Sequence, residues 1–219
     1  MFVNIIALNT LIYYNKLTNN FGAAMPRDTA HFQNREPKLE SYLRYRRFLC
    51  VSKHIKPNSK VLDLGCGFDA YFLNRVADKL HTGIGIDLTE SKQANPHITV
   101  IAHDVNKELP LEDDFFDAVV SMANMEHLDN RVQTLKEAHR VLAPNGMLLI
   151  TTPSTKAKPV LEFLSGGLRL ISTEEIEDHK FYYDPPMLRN DLIEAGFVDS
   201  NIYIQPFQLN FNLFAKSIK

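Results

Sequence analysis

The chain has 219 residues, of which 45% are hydrophobic and 23% are charged, a composition typical of a globular protein. Lys and Arg number 24 against 26 Asp and Glu, so the net charge is −2 and the basic surplus of most nucleic-acid-binding proteins is missing. The two cysteines, Cys50 and Cys66, are too few for a disulfide framework and predict reduced thiols in a cytoplasmic protein.

Residues 1–18 are apolar but match neither a signal peptide nor a membrane span. No basic residue precedes Lys16, and Asn4 and Asn9 interrupt a run that is too short to cross a bilayer. We expect residues 1–36 to form an N-terminal extension or lid. We expect no transmembrane segment, and peripheral contact is the one form of membrane association that the sequence suggests. An alternative is that Met25 is the natural start. Residues 37–219 are expected to form one domain.

From about residue 59 the chain alternates β-rich runs with helical patterns, which predicts a parallel sheet. Five strands are predicted in this part, over 60–64, 82–86, 98–102, 116–121 and 147–151. Apolar spacing predicts helices over 73–80, 131–142 and 185–195, and Pro144-Asn145-Gly146 is expected to separate the second helix from the fifth strand. Gly196 is placed at the C-cap of the last helix.

Two further β-rich runs, 198–204 and 207–216, follow without a helical pattern between them. They must therefore pair as an antiparallel hairpin, and we place its corner at Gln205-Pro206. The predicted fold class is α/β: a doubly wound, mostly parallel seven-stranded sheet with an antiparallel C-terminal hairpin.

The strongest local signal is Gly65-Cys66-Gly67, directly after the first predicted strand. Glycines at a strand end let the backbone approach a ligand where a Cβ would collide. We expect Asp63 to pin the amides of this loop while facing the ligand. Asp87 ends the second strand, where a carboxylate can accept hydrogen bonds from both hydroxyls of a ribose.

Asp104-Val105 follows the third strand at the same edge of the predicted sheet. There Asp104 could accept a hydrogen bond from the exocyclic amine of adenine, and the Val105 amide could donate to a ring nitrogen. Because the carboxyl ends of parallel strands meet at one rim, we expect Gly65, Asp87 and Asp104 to converge on one adenosine-shaped groove.

These residues resemble those of the class I S-adenosylmethionine-dependent methyltransferases, and most closely the broad small-molecule, type 11-like branch. The resemblance covers about residues 40–216 and includes the stretch Met122–Leu128. It implies S-adenosylmethionine as the cofactor, held by Asp63, Gly65, Cys66, Gly67, Asp87, Leu88, Asp104, Val105 and Met122. Where families often have a third glycine in the loop, this chain has Asp69.

Two alternatives remain open at this point. A glycine loop followed by Asp87 also fits an NAD-dependent oxidoreductase on a Rossmann-like sheet, with Ala70 in the place of the third glycine. Asp69 and the C-terminal hairpin argue against it, because a pyrophosphate at that helix start would lie beside a like charge. A non-catalytic cofactor-binding protein is disfavoured by the intact cofactor residues.

Methyl transfer to a neutral hydroxyl requires removal of its proton, and histidine is the natural base near neutral pH. His127 and His179 are the candidate catalytic residues, although either imidazole could instead hold a loop by hydrogen bonds. Tyr182 and Tyr183 follow His179 closely and are candidate contacts for the acceptor. No metal-ligand spacing is apparent, so we expect no metal and disfavour a metal-dependent mechanism.

Acceptor specificity is expected in an insert over about residues 153–184. An apolar helical face there, interrupted by Gly166-Gly167, predicts either an ordinary surface helix or a hinged lid over an apolar or bulky acceptor; it comprises Leu161, Leu164, Leu168 and Ile171. The stretch Glu174–Tyr183 resembles methyltransferases associated with cell-surface glycan or lipid assembly. The expected reaction is methyl transfer to a small-molecule acceptor, with oxygen slightly favoured and a glycan or lipid precursor among the candidates.

Overall fold

The computed structural model describes residues 38–91, 93, 95–162 and 179–219. Within them, seven strands form one sheet in the order β3-β2-β1-β4-β5-β7-β6. Their bounds are β1 (Ser59–Leu64), β2 (Leu80–Asp87), β3 (Ile98–Ala102), β4 (Phe116–Met122), β5 (Leu142–Pro153), β6 (Ile202–Phe207) and β7 (Asn212–Ile218). The first five strands pair in parallel, and β7 pairs antiparallel with both β5 and β6. The predicted fold class is confirmed.

The helices of the described residues are α1 (Lys38–Ser52), α2 (Tyr71–Arg75), α3 (Arg131–Val141), α4 (Lys158–Glu162) and α5 (Pro185–Glu194). The last helix begins as predicted, with Pro185 in its first turn and the Asp184 carboxylate accepting a hydrogen bond from the Met187 amide at 2.8 Å. Gly196 follows its C-cap with φ 107°.

The helix predicted over residues 73–80 is wrong in its second half. After α2 the chain makes a 3₁₀ turn at Ala77–Lys79 and enters β2 at Leu80. Leu73, Val76 and Leu80 nevertheless pack in one hydrophobic cluster, as their spacing indicated. A strand entry buries the same side chains as a further helical turn, so apolar spacing alone could not distinguish the two.

The C-terminal hairpin turns later than predicted. Gln205 and Pro206 both lie inside β6, and the chain reverses through Gln208, Leu209 and Asn210, which have φ values of 50°, 58° and 69°. Residues 208–210 contain no glycine, so this left-handed turn carries no strong turn signal. Pro206 is tolerated because an edge strand has a neighbour on one side only.

The start of β5 also differs from the prediction. The strand begins at Leu142, directly after α3, and Pro144-Asn145-Gly146 lies within it as an irregularity in the pairing with β4. Asn145 has φ 64° there, and a Cβ on Gly146 would lie 2.8 Å from the Ala143 carbonyl oxygen. The turn residues therefore bend a strand and do not separate a helix from one.

Two hydrophobic clusters cover the two faces of the sheet. Successive residues of β1 alternate between them: Leu62 belongs to one cluster and Val61 to the other. Leu135 of α3 and Leu188 of α5 pack in the first cluster, and Val51 of α1 packs in the second. Burial on both faces leaves the ends of the strands as the places where polar side chains can meet a ligand.

Several predictions concern residues outside the described ranges. The N-terminal extension and most of the expected lid, including its glycine pair and three of its apolar residues, lie outside the described residues. Leu161 is described and lies half-buried in α4. None of the helices within the described ranges has the length and apolar character needed to span a bilayer.

Candidate functional site

The loop after β1 depends on both of its glycines, for different reasons. Gly65 and Gly67 have φ values of 73° and 71°, in the left-handed region that other residues rarely adopt. A Cβ on Gly65 would lie 2.4 Å from Cγ of Asn124, whereas a Cβ on Gly67 would meet no atom closer than Oδ1 of Asp69 at 3.6 Å. Gly65 therefore also makes room for Asn124, while a Cβ on Gly67 would make only an ordinary contact with Asp69.

The amides of this loop are held by β2. The Gly65 and Cys66 amides donate to the Ile86 carbonyl at 2.8 and 3.2 Å, and the Gly67 amide donates to Oδ2 of Asp87 at 2.9 Å. The expectation that Asp63 pins these amides is therefore wrong, because β2 runs past the end of β1 and its last residues reach the loop first. Three amides that would cradle a pyrophosphate in a dinucleotide site are used within the protein.

Three carboxylates lie close to this loop. Asp63 is only 2% exposed, and burial together with the charges of Asp87 and Asp69 raises its pKa to about 8. Asp87 and Asp69 place negative charge beside the loop, which a cationic ligand would relieve and an anionic ligand would increase. The electrostatics here favour a positively charged group.

The Cys66 side chain faces the core. A Cβ on Gly85 would lie 2.6 Å from its Sγ, so the glycine in β2 makes room for the thiol. Burial, reinforced by the charge of Asp63, raises the pKa of this thiol. Cys66 was predicted to bind the cofactor, and this packing restricts it to backbone contacts.

Asp104 follows β3 at the same rim as Asp87. The pairing of β2 with β3 sets Asp87 opposite Ala102, and the His103 amide donates to the Asp87 carbonyl at 2.8 Å. Oδ1 of Asp104 accepts hydrogen bonds from the backbone and side-chain nitrogens of Asn106 at 3.0 and 2.9 Å. An adenine amine would therefore have to bind Oδ2.

The environment of Asp104 keeps it ionised. Partial burial acts to raise its pKa, but the Asn106 hydrogen bonds and the nearby Lys107 lower it overall. Nζ of Lys107 lies 3.8 Å from Oδ2. The neighbouring Val105 has a buried side chain, and its carbonyl accepts a hydrogen bond from Oγ1 of Thr134 at 2.9 Å.

The two remaining predicted cofactor residues lie at strand ends. Leu88 follows β2 and is 51% exposed, so its side chain is accessible to a ligand. Met122 is the last residue of β4, is half-buried and pairs with Thr151 of β5. Both lie at the carboxyl-terminal rim of the sheet.

A second group of polar side chains lies beyond β4. Glu126 and His127 belong to the 3₁₀ helix Met125–His127, and the structure brings His179 to them from a distant part of the chain. One ligand-capable atom from each of the three residues lies within 4.8 Å of the others, and the two imidazole centroids are 4.9 Å apart. Both histidines were predicted; Glu126 was missed, although its place beside His127 was a usable signal.

Backbone hydrogen bonds hold this group together. The Lys180 and Phe181 amides donate to the Glu126 carbonyl at 2.9 and 3.2 Å. The Glu126 side chain is 2% exposed and accepts a hydrogen bond from Oγ1 of Thr152 at 3.2 Å. Burial raises the pKa of this carboxyl, although the charge of His127 opposes the shift.

The two predicted acceptor tyrosines have different environments. The Tyr182 hydroxyl lies 3.0 Å from Nδ1 of His179, at the polar group. Tyr183 is fully buried and donates to Oδ2 of Asp191 at 2.7 Å, and its carbonyl accepts a hydrogen bond from the Thr155 amide. The prediction that Tyr183 contacts the acceptor is therefore wrong, because its ring belongs to the core.

This chain is similar to known proteins in both its sequence and its fold. Residues 62–150 match a family described as a methyltransferase domain. A demethylmenaquinone methyltransferase of Staphylococcus saprophyticus is 30% identical over 133 residues, covering 57% of this chain and 57% of that protein. A probable S-adenosylmethionine-dependent methyltransferase of Mycobacterium tuberculosis is 30% identical over 169 residues, covering 74% of this chain and 57% of that protein.

Another relative is a probable tRNA methyltransferase 9B of Mus musculus, 34% identical over 118 residues that cover 51% of this chain and 25% of that protein. The chain thus spans well under two thirds of the length of these curated relatives.

Among solved structures, an S-adenosylmethionine-dependent methyltransferase from Mesorhizobium loti has a TM-score of 0.61 at 17% identity, covering 78% of this chain and 95% of that one. A chain from the complex of the Haloferax volcanii Trm112 methyltransferase activator with a putative methyltransferase has a TM-score of 0.62 at 16% identity, covering 80% of this chain and 90% of that one. These two likenesses show the fold alone. The matched domain and the similar sequences lead to one conclusion: this chain contains a methyltransferase domain, and they support its placement among the class I S-adenosylmethionine-dependent methyltransferases.

Proposed function

We propose that this protein transfers the methyl group of S-adenosylmethionine to a small-molecule acceptor, with oxygen as the acceptor atom. The observation that carries the proposal is the loop of Gly65, Cys66 and Gly67, whose amides are bonded to β2 while the carboxylates of Asp69 and Asp87 lie close by. At neutral pH the cofactor carries a sulfonium and an ammonium against one carboxylate. Its methionyl part therefore suits the negative potential of this loop.

The same electrostatics disfavour the NAD-dependent alternative. A pyrophosphate would approach the carboxylate of Asp69, and the loop amides that should bind it are already engaged. In the proposal, Asp87 accepts from the ribose, Asp104 and Val105 hold the adenine, and Leu88 supplies apolar contact to the adenosine.

Methyl transfer is an in-line displacement, so placement of the acceptor against the methyl group supplies much of the rate. We assign the acceptor side to the polar group of Glu126, His127 and His179. Asn124, in the segment that leads into this group, packs against Gly65 and so adjoins the proposed methionyl site. His179 and His127 would activate the acceptor hydroxyl, with Tyr182 beside them.

The acceptor class is supported by charge and by one relative. A net charge of −2 gives no surplus for a phosphate backbone, and the Staphylococcus saprophyticus relative is named for demethylmenaquinone. A glycan or lipid precursor also belongs among the acceptors to be tested, because of the resemblance noted for residues 174–183. The two free thiols support a cytoplasmic location.

Calorimetry on the full chain tests the proposal, with S-adenosylmethionine, S-adenosylhomocysteine and NAD as parallel ligands. We expect micromolar binding of the first two, and Asp87→Ala should weaken it about tenfold or more, because hydrogen bonds to a charged group are worth roughly 1.5–3 kcal/mol. Asp78→Ala is the matched control, since Asp78 is exposed in a turn before β2. Tight NAD binding with no response to the other two ligands would refute the assignment.

Turnover is then measured with a methyl-labelled cofactor and a panel of quinols, lipid and glycan precursors and tRNA. Label transfer to a small molecule supports the proposed acceptor class. Transfer to tRNA alone, the acceptor named for the Mus musculus relative, would replace it. Cofactor binding without transfer to any member of the panel would favour the non-catalytic alternative.

A further inference from the structure

We propose that Glu126, His127 and His179 bind one divalent transition-metal ion that orients and polarises the acceptor oxygen. Within the described part of the chain, this is the one place where three residues of metal-ligating type have ligand atoms within 4.8 Å of one another. The role toward the acceptor rests on the proposed function, whereas binding of the ion does not. No metal was expected from the sequence, because it shows no metal-ligand spacing; His179 lies far from the other two residues along the chain.

The donor set indicates the class of ion. Two imidazoles with one carboxylate are the ligands of catalytic zinc sites and of non-haem iron sites, and they leave further coordination positions for water or substrate. A hard ion such as Mg²⁺ prefers oxygen ligands. The predicted ion is therefore Zn²⁺ or a similar first-row divalent cation.

The spacing is compatible with such an ion after a small closure. Metal–nitrogen bonds of about 2.0–2.1 Å place ligand atoms roughly 3–4 Å apart, somewhat closer than the present limit of 4.8 Å. The Glu126 side chain is buried and fixed, while both histidines are half-buried. The closure requires the two imidazoles to rotate toward the Glu126 carboxylate.

The supporting contacts are those that metal ligands usually have. Oε2 of Glu126 accepts a hydrogen bond from Thr152, and Nδ1 of His179 lies 3.0 Å from the Tyr182 hydroxyl. A metal-ligating histidine normally binds through one nitrogen and donates from the other to such a partner, which assigns Nε2 of His179 to the ion. Because backbone hydrogen bonds join residues 180 and 181 to Glu126, the ligands are brought together without an ion.

An ion at this site would change the role of the histidines from base to ligand. An acceptor hydroxyl bound to the ion has a lowered pKa and loses its proton to water. Its oxygen then attacks the methyl carbon, the carbon–sulfur bond breaks, and the bonding electron pair stays on sulfur. The cofactor leaves as the neutral thioether.

The test uses the full chain, prepared without a histidine tag and stripped with a chelator. Titration with Co²⁺ followed by visible absorption, and with Zn²⁺ followed by calorimetry, should each show one equivalent bound. His179→Gln and His127→Gln should each weaken binding about tenfold or more, since even outer contacts to a metal site are worth 10- to 100-fold. His81→Gln is the matched control, because His81 is an exposed histidine of β2 outside the group and should leave binding unchanged.

The proposal is overturned if the chain binds no stoichiometric ion, or if His179→Gln and His81→Gln bind it equally. Thermal unfolding of each variant separates loss of a ligand from loss of the fold, and the two histidine variants test the site at independent positions. S-adenosylhomocysteine is titrated into the same samples. If the chain binds S-adenosylhomocysteine but no metal ion, the metal site alone is refuted. If it binds the ion but not S-adenosylhomocysteine, the proposed function alone is refuted.

Discussion

The two halves of the carboxyl-terminal rim are built in different ways. At the ends of β1, β2 and β3, the loop after one strand is held by the last residues of the next, as in the bond from Gly67 to Asp87. At the ends of β4 and β5, Glu126 is bonded to Thr152 and to the amides of Lys180 and Phe181. The first half follows the order of the strands, while the second depends on a segment that returns from far along the chain.

The halves also differ in charge. The first gathers Asp63, Asp69 and Asp87 around one loop, and burial, reinforced by the charges of Asp87 and Asp69, raises the pKa of Asp63. The second combines one buried carboxyl with two imidazoles, and the core beneath it contains Tyr183. The first half, which we propose for the cofactor (the cofactor half), is therefore the electrostatically costly one when empty. The second half, which we propose for the acceptor (the acceptor half), depends on packing.

The largest expected effect tests that electrostatic cost. With its pKa raised to about 8, Asp63 holds a proton in the folded state that the unfolded chain has released, so stability falls as pH rises from about 4 to 8. Between pH 5 and 8 the ligand-free protein should lose on the order of 4 kcal/mol that Asp63→Asn does not lose. Urea unfolding at each pH measures the difference, with Asp78→Asn as control. If the free energies of unfolding of the parent and Asp63→Asn changed in parallel with pH, Asp63 would ionise as readily in the folded state as in the unfolded state.

A smaller effect is expected from the glycines of the loop. Gly65→Ala combines left-handed strain with displacement of Asn124 and should destabilise by about 3 kcal/mol. Gly67→Ala has the strain but only an ordinary contact with Asp69, and should cost about 1 kcal/mol. Gly67→Ala is thus the matched control for Gly65→Ala, and urea midpoints at constant slope measure both. Equal losses would mean that Asn124 moves without cost.

The smallest effect concerns the core of the acceptor half. Tyr183→Phe removes the hydrogen bond to Asp191 and should destabilise by about 1.5 kcal/mol, while leaving S-adenosylhomocysteine affinity unchanged. Tyr203→Phe is the control, because Tyr203 is 51% exposed and its hydroxyl bonds to the side chain of Gln205. If Tyr183→Phe lost turnover but kept the stability of the parent, Tyr183 would have to be assigned to the acceptor site.

The sequence predicted the first half of the rim well because its signals are local. Each strand end carries its own polar residue, and the pairing of β1, β2 and β3 brings Gly65, Asp87 and Asp104 to one edge. The predicted hydrogen-bond partner of the loop was wrong, because the loop amides bond to Ile86 and Asp87 and not to Asp63. Which of several nearby acceptors reaches an amide depends on where neighbouring strands end, and no residue pattern records that.

The second half could not be predicted because its contacts span long stretches of sequence. Nothing in the sequence around His179 indicates that its neighbours bond to the Glu126 carbonyl. Tyr182 and Tyr183 look alike in sequence, yet Tyr182 lies beside His179 and Tyr183 lies in the core. An apolar or aromatic residue next to candidate polar residues can either contact a ligand or pack in the core. Only the tertiary structure decides between these two roles.

Pro206 has a consequence for assembly. It lies in β6, the outermost strand on that side of the described sheet, and its imide nitrogen has no hydrogen to offer to an incoming strand. A peptide that added itself alongside β6 would leave one of its own carbonyls without a donor at this position. On this flank the sheet is therefore protected against growth by strand addition, a common route to aggregation.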